Sequence, residues 1–141
     1  INRPSSQEQP EKLKNFVRGL GDTGDPVLVI KKKLYTSDVD PGLQRFSIPC
    51  KQVVNEFLTE GERKRFNKGN KQEEIDAILI GSSFVQYNIK LRKWYMSSSS
   101  SYVLVSGWNE FVEKNGLESG IDVQLRSFKR GSKLYFILIK V

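Results

Sequence analysis

The stretch RKWYMSSSSSYVLVSGW, residues 92–108, reads as two strands around a hydroxyl-rich tip. A basic, aromatic strand from Val85 to Trp94 enters it. A floppy tip centred on Ser97, Ser98, Ser99, Ser100 and Ser101 follows, and an apolar strand, Tyr102 to Val105, leaves it. Along the first strand Tyr87, Ile89 and Leu91 share one face and Asn88, Lys90 and Arg92 the other, the alternation of a sheet with one face in a core. A lone hairpin is marginal in water, so these strands need neighbours.

The neighbours lie on both sides. Val27 to Ile30 reads as a strand continuing into Lys31-Lys32-Lys33, Gln44 to Ile48 as a short one, and Ile75 to Ile80 as one joined to Val85 by Gly81-Ser-Ser83. Asp122 to Phe128 and Lys133 to Lys140 pair as a hairpin around Lys129-Arg-Gly-Ser132. The last strand is apolar on both faces and belongs deep in the sheet.

Three helices accompany them. Glu11 to Leu20 carries Leu13, Phe16, Val17 and Leu20 as one apolar stripe, with Gly21 as its cap. Pro49 opens a second, with Cys50, Val53, Val54, Phe57 and Leu58 buried and Gly61 as its end. Trp108, Phe111 and Val112 face inward on a third, stopped at Asn115-Gly116. Residues 1–10 read as a loose arm, Asp22 to Pro26 as a turn, Asp38 to Gly42 as a loop, and Glu62 to Gln72 as a long basic loop. Seven short strands with helices predict a mainly β, α+β domain: a closed or nearly closed seven-stranded barrel with helices at its ends.

The 141 residues suit one domain with a real core, and no apolar run is long enough to span a membrane. The chain begins at Ile1 and reads as a fragment, so the lack of a targeting segment says nothing of a parent protein. A single cysteine, Cys50, excludes an internal disulfide and suits a reducing compartment.

Lys and Arg number 23 against 16 Asp and Glu, a net charge of +7. Residues 1–26 balance four against four, so the whole excess lies in residues 27–141. A polyanionic partner and ordinary surface lysines explain that equally well.

The chain has no histidine, which removes Ser-His-Asp and Cys-His catalysis and ordinary zinc sites. Cys50 reads as a packing residue. Glu73, Glu74 and Asp76 form the one tight acidic cluster, read as solvated loop rather than a magnesium site. No catalytic constellation, cofactor site or small-molecule substrate site emerges.

Four pieces in order resemble the plant B3 DNA-binding domain family. They are Lys32-Lys-Leu-Tyr-Thr-Ser-Asp-Val39; Arg45-Phe-Ser-Ile-Pro49; Leu91-Arg92 with Tyr102-Val-Leu-Val-Ser-Gly-Trp108; and Phe111-Val112, Asn115 and Leu117-Glu-Ser-Gly120. The resemblance covers roughly residues 27–141 and suggests a divergent branch, with residues 1–26 as an added arm and helix.

It implies a pseudobarrel that binds double-stranded DNA in the nucleus, as part of a transcription regulator, with two arms in the major groove and no metal or cofactor. The N-terminal arm is Tyr35 to Gln44 and the C-terminal arm Arg92 to Tyr102. The implied contacts are Lys32, Lys33, Tyr35, Thr36, Ser37, Asp38, Gln44 and Arg45 from the first. From the second they are Lys90, Arg92, Lys93, Trp94, Tyr95, Met96 and Ser97, Ser98, Ser99, Ser100 and Ser101. Arg92, on the polar face, is expected to be exposed and to grip phosphate.

The chain departs from the family pattern at Tyr35, Cys50 and the serine tip. Gly120-Ile121-Asp122 is one residue longer, which predicts a bulge at the start of the sixth strand or marks an imperfect match. Two further readings stay open. One is a weakly specific nucleic-acid binder using Trp94 and Tyr95 as stacking platforms, against ordinary packing of the two rings. The other is a protein-interaction domain that has kept the barrel.

Overall fold

The computed structural model describes residues 8–19, 25–67 and 73–141. Seven strands form one sheet: β1 (Val27–Lys33), β2 (Phe46–Pro49), β3 (Ile75–Ile80), β4 (Gln86–Tyr95), β5 (Ser100–Val105), β6 (Asp122–Arg130) and β7 (Lys133–Lys140). Their order is β1-β6-β7-β3-β4-β5-β2, with only β3 and β7 parallel. Four helices accompany them: α1 (Glu8–Gly19), α2 (Thr36–Val39), α3 (Glu60–Asn67) and α4 (Trp108–Lys114).

β7 is the middle of the sheet's apolar half. Leu134 to Ile139 are all buried, as expected of a strand covered on both faces. Its inner side chains join Phe46, Ile48, Leu79, Leu91, Leu104, Trp108 and Phe111 in the main core. Its outer ones, Tyr135, Ile137 and Ile139, pack with Ile80, Phe128 and Val17 of α1. Phe16 stacks on Phe84 at 5.1 Å, so α1 is seated on the barrel's outer face. This helix begins at Glu8 rather than Glu11. Leu20, Gly21 and the start of the expected turn lie outside the described residues, as does the side chain of Leu13.

β1 and β2 end the sheet and are not bonded to each other as strands. The Lys32 ammonium on β1 crosses to β2 and donates to the Ser47 carbonyl at 3.0 Å. The rest of the β1 edge is covered by a chain segment: Val54 N–H donates to Val29 O, and the Asn55 side chain to Leu28 O. An open edge would invite pairing with another chain.

That segment corrects the second expected helix. Pro49 opens only a 3-10 turn, Cys50–Gln52, because the backbone beyond it bonds to the β1 edge instead of to its own turns. Val54 is accordingly 58% exposed, although Phe57 and Leu58 are buried as expected. The helix lies further on, as α3, where a long loop was expected. Thr59 and Glu62 form a capping box: Thr59 N–H donates to Glu62 Oε1 at 2.8 Å and Glu62 N–H to Thr59 Oγ1 at 3.1 Å. Gly61 is therefore inside a helix rather than at its end, and residues 68–72 of the expected loop lie outside the described ones.

The predicted bulge also moves. The register shift falls in β1, between Leu28 and Ile30, which lets Val29 and Ile30 both be buried. The extra residue near Gly120 is absorbed by a turn whose Gly120 N–H donates to Leu34 O and whose Ile121 O accepts from Leu34 N–H.

Candidate nucleic-acid interface

The loop from Tyr35 to Gln44 does not hang free. Asp38, 3% exposed, accepts from Tyr35 N–H at 2.8 Å and from Ser47 N–H at 3.5 Å, and pairs with Lys32 at 3.0 Å. The Lys32 side chain is 9% exposed and lies over the rings of Tyr35 and Phe46. From the other side α4 reaches in. The Trp108 indole N–H donates to Asp38 O at 2.6 Å, and the Asn109 side chain to Pro41 O at 2.9 Å. The expected loop at Asp38 to Gly42 is thus the end of α2 followed by a tight turn, where Leu43 N–H donates to Asp40 O.

The signature Ser106-Gly-Trp108 makes this possible by a sharp corner. Ser106 and Gly107 have φ of 50° and 110°, and a β-carbon on Gly107 would sit 2.3 Å from the Asn88 carbonyl oxygen. Only glycine suits that place.

The C-terminal arm is a continuous hairpin. Tyr95 pairs with Ser100, Trp94 with Ser101 and Lys93 with Tyr102. Met96 N–H donates to Ser99 O at 2.8 Å, so the loop proper is only Ser97-Ser98. The expected floppy five-serine tip is therefore corrected. Ser100 and Ser101 are strand residues, and Ser101 is buried on the sheet face opposite Tyr102 and Leu104, where it is paired with Trp94 of β4 and Pro49 of β2.

The hairpin leans on α3 and the segment after it. Tyr95 Oη donates to Phe66 O at 3.0 Å, and Phe66 packs near Tyr102. Arg65 pairs with Glu73 at 2.7 Å and donates to Glu74 O. The acidic cluster is a set of ion pairs: Glu73 with Arg65, Glu74 with Arg92, Asp76 with Lys90. Among the described residues no group of side chains is suited to a metal ion. Lys90 beside Asp76 holds that carboxyl below the usual carboxylate range, and Asp76 raises the Lys90 ammonium.

The sequence-derived contacts thus divide. Lys33, Tyr35, Thr36, Gln44, Trp94, Tyr95, Met96, Ser97, Ser98 and Ser99 are exposed; Ser37, Arg45, Lys90, Arg92, Lys93 and Ser100 are half-buried. Lys32, Asp38 and Ser101 are withdrawn into the fold, which makes them supports rather than surface contacts. Arg92, expected to be exposed and to grip phosphate, has a side chain 36% exposed and bound to Glu74 Oε2 at 2.7 Å. Arg45 and Lys93 have no carboxylate partner among the described residues. Arg45 lies over the Trp94 ring at 5.2 Å, and Lys93 over Tyr95 at 5.1 Å and Tyr102 at 5.5 Å. Burial pushes the Tyr102 hydroxyl up to about 12.

Sequence reasoning missed Asn109, Glu74 and Phe66 as supports of the arms. For α3 a signal was available, the Thr59-x-x-Glu62 box. For Glu74 and Asn109 there was none, because their partners are far away along the chain.

A nearly closed seven-stranded barrel with two buttressed arms defines a pseudobarrel of B3 type. Solved structures share it. The chain superposes on the Arabidopsis FUS3–DNA complex with a TM-score of 0.54 at 20% identity, covering 81% of this chain and 96% of that one. For the Arabidopsis thaliana LEC2–DNA complex the TM-score is 0.55 at 23% identity, covering 82% and 94%. The chain belongs to the family of B3 domain-containing proteins described as At2g31720-like, whose model matches residues 5–141. Its relatives include the Arabidopsis thaliana B3 domain-containing proteins At3g25182 and At1g05920. Each is 32% identical, over 95% and 96% of this chain, and the chain spans 41% and 46% of their lengths.

Proposed function

We propose that the domain binds double-stranded DNA through its two arms in the major groove, with a sequence preference, as part of a plant transcription regulator in the nucleus. The observation that carries this reading is the meeting of the arms. Arg45 at the root of one lies over Trp94 of the other, and neither Arg45 nor Lys93 is neutralised by a described carboxylate. A net charge of +7, all of it from residues 27–141, supports a polyanionic partner. That the structural neighbours were solved as DNA complexes supports duplex DNA as this polyanion.

In this reading residues 27–141 are the binding unit and residues 1–26 an adjunct, whose helix α1 packs on the outer face of the barrel. The activity is binding rather than catalysis, without metal, cofactor or small-molecule substrate. Phosphate contact comes from Arg45, Lys93 and Lys33; base contact from the exposed Tyr35, Thr36, Gln44, Met96 and Ser97 to Ser99. Serine hydroxyls both donate and accept, so their readout is less exclusive than a bidentate Arg or Asn.

Selection from a random duplex library tests the proposal. An enriched motif is expected. With about four to six phosphate contacts, log K should fall against log salt with a slope of about −4 to −5. Uniform recovery, or a single strand competing as well as duplex, would favour a weakly specific nucleic-acid binder. No salt-sensitive binding would favour a protein-interaction domain.

A further inference from the structure

The cations at the arm roots are held in two different ways. Carboxylates hold Lys32, Arg92 and Lys90, through Asp38, Glu74 and Asp76, with Lys32 lying over the Tyr35 and Phe46 rings as well. Aromatic faces hold Arg45, over Trp94, and Lys93, over Tyr95 and Tyr102. The physics differs. A carboxylate orients a cation and cancels its charge. A ring face orients it through its quadrupole, carries no net charge, and leaves the cation's field available to an anion. A guanidinium seated on an indole also keeps its N–H edges, which lie in its own plane, open to acceptors.

The position of the Arg45–Trp94 pair adds a second consequence. Arg45 closes the N-terminal arm just before β2, and Trp94 lies near the end of β4, with β5 between the two strands. The contact therefore joins the arms directly. Trp94 is 37% exposed, so its ring is no part of the core.

We propose that Trp94 is a positioning residue. Its ring holds Arg45 against the C-terminal arm and pre-orients the guanidinium towards an acceptor on duplex DNA, so that the two arms engage as one unit. This rests on the DNA-binding reading above. Ordering Arg45 before binding lowers the side-chain entropy lost on association, which is how a ring that touches no DNA contributes to affinity.

The test is a double-mutant cycle on a duplex recovered by selection, with Arg45→Ala, Trp94→Ala, Trp94→Phe and the Arg45→Ala/Trp94→Ala double variant, at two salt concentrations. Denaturant unfolding of each variant checks that the fold is kept. Arg45→Ala should weaken binding about tenfold to a hundredfold. Trp94→Ala should weaken it about twofold to fivefold, and Trp94→Phe should recover most of that loss. The double variant should bind no more weakly than Arg45→Ala alone. If Arg45 meets phosphate, its loss should flatten the salt slope by about one; if it meets a base edge, the slope should stay and the loss should be confined to sites bearing that base.

A readout without DNA accompanies these. Arg45→Ala should expose the Trp94 ring and increase acrylamide quenching of indole emission in the free domain, since Trp108 is fully buried and constant. Unchanged quenching, parent-like binding by Trp94→Ala, or a Trp94→Ala loss repeated in full in the Arg45→Ala background would each overturn the inference while leaving DNA binding intact. A parent domain that binds no duplex would overturn both.

Discussion

The indole N–H of Trp108 donates to the main-chain carbonyl of Asp38 at 2.6 Å, across 70 residues of sequence. Asp38 in turn holds Lys32, Tyr35 N–H and Ser47 N–H, so one buried indole fixes the root of the N-terminal arm through one carbonyl. The Trp108 ring also lies between Phe46, tilted against it at 4.9 Å, and Phe111, stacked on it at 5.7 Å. Trp108→Ala should therefore destabilise the domain by about 3–5 kcal/mol through lost packing. Trp108→Phe should retain most of the packing and cost about 1–3 kcal/mol, because the Asp38 carbonyl loses its buried donor. Denaturant unfolding of both variants checks this; equal losses would deny the hydrogen bond any weight.

The Lys32–Asp38 pair should behave as a buried ion pair. Removing one partner strands the other's charge, so Asp38→Ala and Lys32→Ala should each cost about 3–5 kcal/mol. The double variant should cost clearly less than the sum of the two. Additive losses in unfolding experiments would show that the two charges act independently.

Gly107→Ala should be costly even though alanine is small. The residue has φ of 110° and no room beside Asn88 O. The positive φ alone is worth about 1–3 kcal/mol, and the backbone clash adds to it. A thermal midpoint unchanged from the parent's would refute the corner described at Ser106-Gly-Trp108.

Arg92 and the serine loop should separate by salt. Arg92→Ala leaves Glu74 facing the arm unpaired, so DNA binding should weaken, and adding Glu74→Ala should restore part of it. A direct phosphate contact would give no such recovery. Replacing Ser97, Ser98 and Ser99 together by alanine should leave the salt slope unchanged and flatten the preference between a selected and a scrambled duplex. Unchanged preference would make the loop a linker.

Alkaline pH should expose Tyr102. Burial raises its hydroxyl from 10.0 to about 12 in the folded domain. A group whose folded value is raised contributes stability that is fully present below the unfolded value and is lost above it. Stability should therefore fall from about pH 10 to about 12, by less in Tyr102→Phe than in the parent. Tyrosinate absorbance should lose a late-titrating component in Tyr102→Phe; parent and variant declining alike in stability would refute this.

Most of the sheet was legible along the chain. β3, β6 and β7 announce themselves because strand periodicity and burial are local properties, and the six buried residues of β7 place it centrally without any structure. The inward Trp108 was legible too, as the first residue of an apolar helix face, whereas the corner at Gly107 came only with the backbone. The family was legible because its four motifs fall in order on β1 and α2, on β2, on β4 and β5, and on α4 with the turn after it.

The chain around Val53 to Asn55 was not legible. Its apolar spacing suits a helix, and only the unpaired carbonyls of the β1 edge draw its backbone away. The roles within the arms were hidden for the same reason. Lys32, Arg45, Arg92 and Lys93 are alike as sequence, each a cation within or just beside a strand. Their difference lies in what the folded chain sets against each: a carboxylate for Lys32 and Arg92, an aromatic face for Arg45 and Lys93. Composition and periodicity thus determined the barrel and its positive charge. The tertiary structure alone decided which charges are neutralised within the fold, because Coulombic and ring contacts depend on separations of a few ångströms between residues distant in the chain.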